Sequence, residues 1–300
     1  MLMKKNIVVL LFCAVMVCVG GSIFGADDVK AEASQRGEWL PSGSELFKPP
    51  IADPRIVSYS AGYRVSDSVI SHYVAAVSFG EPIPLYRFNE VSIGEFAGAL
   101  QIDLEPGIWS VFDTNRRSLP LINTDFSIGV VATYAFDMWS FRARLSHVST
   151  HLGDEYVINE SITDTQRLNV SNETFDVMAS YKVSDDLRFF AGLGYILNSN
   201  KEFTIQPLFI EYGGEAYFCE YTDAKRKLVH KPFFALYIKN KEDVRFSPDI
   251  NYCVGVETDK TDSTGKRLRV MAEYHDGYSQ EGQFMRDKTQ YFTLKFSFGY

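Results

Sequence analysis

The sequence predicts an all-β fold, an antiparallel transmembrane β-barrel of about twelve strands. Three observations predict it. An apolar segment near the N-terminus is followed by no second run long enough for a helical span, so membrane residence has to come from strands. Apolar and polar residues then alternate with period two in segment after segment, the pattern of strands with one apolar face. The last such segment closes the 300-residue sequence on an aromatic residue, Tyr300. Composition agrees: aromatic residues make up 14% of the chain, which suits strands and interfaces better than a helical bundle. The formal net charge of −8 points away from a nucleic-acid partner.

Met1 to about Ala26 has the plan of a secretory signal: Lys4 and Lys5, a continuous apolar run from Ile7 to Val19, then Gly20, Gly21 and Ser22. The run is short for a span of ~20 residues, and Asp27-Asp28 follows at once. Cys13 and Cys18 follow Leu10-Leu11-Phe12 and Val15-Met16-Val17, not the small residues of a lipoprotein signal. Loss of the segment takes the charge from −8 to −10. Residues 27–54 read as an extended periplasmic lead-in carrying Pro41, Pro49, Pro50 and Pro54, and residues 55–300 as an outer-membrane barrel.

Twelve strands are expected near 55–64, 69–80, 94–104, 125–136, 138–149, 173–183, 186–198, 208–220, 232–240, 249–257, 267–276 and 289–300. The even total puts both termini on the periplasmic side. Connections at 137 and 184–186 are then short periplasmic turns, and those at 105–124, 150–172 and 277–288 are long outer loops. The connections at 81–93, 221–231 and 258–266 are longer than such turns usually are. In the last strand Phe292, Leu294, Phe296, Phe298 and Tyr300 share the lipid face, an ending that resembles the strand read by the barrel-assembly machinery. That machinery and outer-membrane lipids are the expected partners.

Arg142 and Arg144 alternate with apolar residues, and each would cost ~2–4 kcal/mol facing lipid near the midplane, so they face the lumen. The same register turns inward Glu95, Asp103, Asp176, Arg188, Glu211, Glu215, Arg267, Arg269, Glu273 and Lys295. Mixed signs favour an interlocked ionic core over an open polar pore. Cys219 and Cys253 also point inward, from strands with one strand between them. The lateral separation of ~9–10 Å exceeds the ~7 Å Cα limit of a disulfide, so no bond is expected.

Two polar stretches could carry chemistry. The first runs from Ser146 to Tyr156 and holds two histidines, His147 and His151, a serine and two carboxylates, Asp154 and Glu155; the second, Glu273 to Phe284, holds His275 and Asp276. Histidine and carboxylate side chains supply an acid/base pair or metal ligands, and a divalent cation bound by His151, Asp154, Glu155 and His275 is the one cofactor they allow. His147 and His151 share a face but stand ~13 Å apart on a strand. No G-x-S-x-G elbow, phosphate loop, H-E-x-x-H or C-x-x-C is present.

The segments Leu46-Phe47-Lys48-Pro49-Pro50, Ala52-Asp53-Pro54-Arg55, His151-Leu152-Gly153-Asp154-Glu155-Tyr156 and Glu273 to Phe284 resemble an uncharacterised bacterial envelope family, domain-of-unknown-function family 1207. The resemblance spans almost the whole mature chain. It implies export and a barrel, and it implies no activity, substrate or catalytic residue. Three readings stand at this point. The first is a non-enzymatic barrel, structural or binding or passing a small solute. The second is a hydrolase acting on lipid or surface substrates through His147, His151, Asp154, Glu155, His275 and Asp276. The third is a surface adhesin with long polar loops.

Overall fold

The computed structural model describes residues 37–42, 45–162, 168, 170–261 and 265–299. The signal segment Met1–Ala26, residues 27–36 of the lead-in and Tyr300 lie outside the described residues. Twelve strands close into one antiparallel barrel: β2 (Tyr59–Val65), β3 (Tyr73–Gly80), β5 (Phe96–Asp113), β6 (Leu121–Phe136), β7 (Trp139–Leu152), β8 (Ser171–Ser184), β9 (Leu187–Ser199), β10 (Leu208–Tyr217), β12 (Leu228–Lys241), β13 (Pro248–Lys260), β14 (Arg267–Tyr278) and β15 (Lys288–Gly299). Each pairs with its neighbour in that order, and β15 pairs back onto β2, Phe292 opposite Val65 through Phe298 opposite Tyr59. Closure leaves no free barrel edge, the condition for strands in lipid.

Each expected strand is found, and the over-long connections resolve. Residues 81–93 are not a turn: β4 (Ile83–Ile93) continues the line of β3 and pairs with the first half of β5, whose second half pairs with β3. A short strand, β1 (Gly37–Trp39), lies along β4, and Trp39 stands edge-on to Tyr86 with ring centroids 4.8 Å apart. Most of 105–124 is likewise strand, because β5 runs on to Asp113 and β6 begins at Leu121. Strands β12 and β13 extend to Leu228 and Lys260, and β11 (Tyr221–Asp223) folds onto β12. Glu95 does not face the lumen; it sits exposed at the tip of the β4–β5 hairpin.

The wall alternates as its sequence does. Phe292, Leu294, Phe296 and Phe298 are exposed on the outside of β15, while Thr293, Lys295 and Ser297 are buried inside. The lumen is held by charge. Asp176 accepts from Arg142 Nη2 and Arg144 Nε, both at 2.8 Å, and Arg144 reaches Glu105 at 3.3 Å. Arg188 binds Glu215 at 2.7 Å, Arg269 binds Glu257 at 2.8 Å and Lys295 binds Glu273 at 3.2 Å. Cys219 is exposed past the end of β10, Cys253 is buried in β13, and both thiols are free.

The lead-in is not an outside tail. From Glu45 to Ser58 it enters the barrel and packs against the inner wall. Phe47, Ile51 and Ala52 pack with inward residues of five strands, among them Met178, Phe190, Phe233, Cys253 and Met271. The wall also satisfies its backbone: Glu215 accepts from Ile51 N at 2.7 Å, Asn251 donates to Ala52 O at 2.7 Å, and Arg188 donates to Lys48 O. Prolines suit such a segment, since Pro49, Pro50 and Pro54 bring no N–H that would need a partner inside a barrel. Arg55 marks its deepest reach, paired with Asp125 and lying 4.9 Å from the Trp109 ring.

Candidate functional site

The two polar stretches lie six strands apart in either direction around the ring, on β7 and β14, which are opposite walls. Their titratable side chains do not meet. His147 and His151 point outward, His151 against the Phe126 ring at 5.8 Å. Asp154 and Glu155 open a short helix, Asp154–Asn159, and Glu155 accepts from Ser118. His275 is buried inside the barrel, stacked on Tyr291 at 4.6 Å with Nε2 3.0 Å from Tyr278 O, while Asp276 is exposed on the outside. Strand pairing forbids the shared His151–His275 metal site: the two rings face opposite sides of opposite walls. Among the described residues, no three His, Cys, Asp or Glu side chains are grouped to hold a metal ion.

The stretches do meet, through backbone and aromatic contacts. The loop from Ser279 to Asp287 crosses the mouth of the barrel to the far wall. Gly282 N donates to Asp125 at 3.3 Å, Gln283 donates to Leu168 O, and Phe284 stands edge-on to Tyr156 at 6.3 Å. A Cβ on Gly282 would lie 2.1 Å from Thr150 Oγ1, so only glycine permits the crossing. At its far end Arg286 binds Asp243 through two bonds of 2.8 and 3.0 Å and donates to Thr204 O at 2.6 Å. Burial alone would raise the Asp243 carboxyl; Arg286 and the Gln206 N–H hold it below the usual carboxylate range. Beneath this lid and above the lead-in lies a cavity of about 210 Å³, bordered by Arg55, Arg144, Asp176, Lys239 and Asp249.

A second polar group lies on the opposite side of the wall. His147 Nδ1 is 3.0 Å from Glu173 Oε1, and Asn198 Nδ2 donates to Glu173 Oε2 at 2.7 Å. The register builds this: His147 of β7 is the cross-strand partner of Glu173 of β8, which pairs in turn with Asn198 of β9. Ser149 follows on the same outward face, roughly 7 Å from His147 along the strand. With Nδ1 held by the carboxylate, Nε2 is the ring nitrogen left to face a substrate or hydroxyl.

The surroundings of this group are apolar. Ile128 is the neighbour of His147 on the other flank and Phe126 that of Ser149, both exposed on the outside. Below it come Leu145, Ala143 and Phe141, then Trp139 packed on Tyr181 at 4.7 Å. Eight residues at ~3.3 Å on strands tilted ~40° raise His147 about 20 Å above Trp139, inside an apolar band ~25 Å tall. His147, Ser149 and Glu173 therefore lie at the loop-end margin of the lipid-facing belt.

A family model described as a protein of unknown function, DUF1207, matches residues 26–300. The chain belongs to the DUF1207 family. No curated protein matches its sequence. The DUF1207 barrel is similar in structure to outer membrane phospholipase A from Escherichia coli, with a TM-score of 0.51 at 8% identity over 80% of this chain and 92% of that one. The Salmonella typhi outer membrane phospholipase, a dimer with bound calcium, aligns at 0.50 with 10% identity over 84% and 94%. The KdgM porin aligns at 0.39 with 11% identity over 81% and 99%. The likenesses at 0.51 and 0.50 are of fold, and the fold is that of outer-membrane barrels.

Ser149, Glu173 and Asn198 were not among the residues that the sequence singles out for chemistry, although Ser149 lies within the first polar stretch. A signal for Glu173 was available: it precedes Phe175 and Val177 in the outward register, where a carboxylate is out of place in the DUF1207 lipid belt. Asn198 gives no such signal, because a bulge between the Glu173 and Thr174 pairings shifts its register.

Proposed function

We propose that this protein hydrolyses ester-linked acyl chains of lipids in the outer leaflet of the outer membrane. The observation that carries the reading is the 3.0 Å contact between His147 and Glu173 on the lipid-facing surface, with Ser149 on the same face. The lead-in packed across the lumen argues for this reading over passage of a solute. That two proteins of similar fold are named phospholipases is consistent with it.

Ser149 Oγ attacks the ester carbonyl carbon while His147 Nε2 takes its proton. The ester C–O bond breaks, and the leaving lysolipid oxygen receives that proton from His147. Water, deprotonated by His147, then attacks the acyl-Ser149 ester and releases a fatty acid, returning the hydroxyl to Ser149. Glu173 holds the imidazole by its Nδ1–H and stabilises the imidazolium, and Asn198 holds Glu173 in place.

The test is fatty-acid release from phospholipid vesicles or mixed micelles by the purified, heat-modifiable barrel. Release by the native protein that falls at least ~10³-fold in Ser149→Ala and His147→Asn supports the reading. No release by the native protein, or equal release by the Ser149→Ala variant, sinks it.

A further inference from the structure

Part of the lipid-facing wall is hollowed. Outward residues of the apolar belt are mostly bulky, and on the far wall Val254, Val270, Phe292, Leu294 and Phe296 all stand exposed. Across β6 to β9 the same belt carries Ala132, Ala143, Ala179 and Ala191, which leave a groove of about 560 Å³ on the outer surface. The alanines adjoin because the register pairs Ala132 with Ala143 and Ala179 with Ala191. Leu193 forms one side. Tyr134 forms the other, fixed by its hydroxyl to the carbonyls of Phe96 and Val91 at 2.8 and 3.1 Å. The shape is thus set by backbone pairing and a pinned ring rather than by mobile side chains.

The groove lies on the strands that carry His147 and Glu173. Ala143 is four residues from His147, ~13 Å along the strand and about 10 Å along the barrel axis at a ~40° tilt. The row of Phe141 and Ala179 lies two residues further, about 15 Å down on the same basis. One leaflet of hydrocarbon is ~15 Å deep, half of a ~30 Å core. The groove therefore spans the depth at which the far half of an acyl chain runs when its ester lies at His147.

We infer that this groove seats the distal part of the acyl chain of the lipid whose ester lies at His147 and Ser149, so that long-chain lipids are preferred. The inference rests on the hydrolase reading for the position of the ester. The occupant is hydrocarbon because the groove is apolar and opens into the lipid belt, where an unfilled hollow forfeits dispersion contacts on one side. A chain too short to reach Ala143 gains nothing from it.

The experiment compares dipalmitoyl with dioctanoyl phosphatidylcholine in mixed micelles for the native protein and for Ala143→Phe and Ala179→Phe. Ala272→Phe, on the far wall, is the control. Assembly of each is checked by heat-modifiable mobility. A second readout is photocrosslinking in palmitoyl-oleoyl phosphatidylcholine vesicles doped with a phosphatidylcholine whose palmitoyl end carries a diazirine. The expected result is a long-over-short rate ratio that falls about tenfold in the groove variants and not in the control, with crosslinks concentrated on β6 to β9. Unchanged ratios with crosslinks spread around the barrel overturn the groove and leave the hydrolase standing. No hydrolysis of either lipid, with crosslinks still concentrated in the groove, overturns the hydrolase and leaves the groove as a lipid seat.

Discussion

Strands β7 and β8 carry a basic group beside a carboxylate on each side of the wall, and the two pairs differ in every respect that matters. Inside, Arg142 and Arg144 share Asp176, whose side chain is 1% exposed, and the same arginines reach Glu211 and Glu105. Outside, His147 meets Glu173 with side chains 44% and 29% exposed. The inner group is buried and linked to several strands, and its ion pairs are all with residues of the barrel wall. The outer group is partly exposed, and it leaves a ring nitrogen facing the lipid boundary. The same β-ladder thus builds a buried ionic strut on one face and a partly exposed His–Glu pair on the other.

Removing the inner carboxylate gives the largest expected effect. Asp176→Ala leaves two buried guanidinium groups without their shared partner, a loss of ~3–5 kcal/mol for a broken buried pair. The variant should fail to give heat-modifiable barrel on refolding into vesicles; normal assembly would show that the inner group is not a strut. A second test empties the lumen next to it. Replacing residues 45–53 by a Gly-Ser segment of equal length removes Phe47, Ile51 and Ala52, the side chains that pack against the wall. Current steps in planar bilayers should appear in that variant and be absent from the native protein. Silent variants would mean that side-chain ion pairs alone close the barrel.

The outer group should respond in the opposite way. Glu173→Gln should shift stability by no more than ~0.5 kcal/mol, as surface changes usually do. Hydrolysis should still drop by ~10²–10⁴-fold, because the imidazole loses the carboxylate that orients it. Equal loss of assembly and activity would erase the distinction between the two faces.

The smallest effect is expected at the lid. The Asp243 carboxyl is held below its ordinary range in the folded protein. Its contribution is therefore present above the unfolded value of ~3.9 and is lost as pH falls through the lower folded one. Hydrogen exchange at the Gln206 amide, which donates to Asp243 at 2.9 Å, should quicken below about pH 4 relative to its intrinsic rate. Asp243→Asn should show that quickening at pH 7. Protection that persists in the variant would place the lid's stability in Gly282 and Phe284 instead.

The sequence by itself determined the wall. Period-two alternation is a local property, so Phe292 to Phe298, or Arg142 and Arg144, declare their faces without knowledge of their neighbours. It also placed His147 and His151 on one face, because two residues an even number apart on a strand must share it. Three matters were decided only by the tertiary structure. Residues 81–93 lack clean alternation, and only their pairing with β5 shows them to be strand. The lead-in from Phe47 to Arg55 carries no period, and its place inside the barrel depends on Glu215, Arg188 and Asn251, which are distant in sequence. The contact of His147 with Glu173 depends on cross-strand register over a 26-residue separation that includes a loop. Such register is fixed by closure of all twelve strands, a global condition that no single segment records.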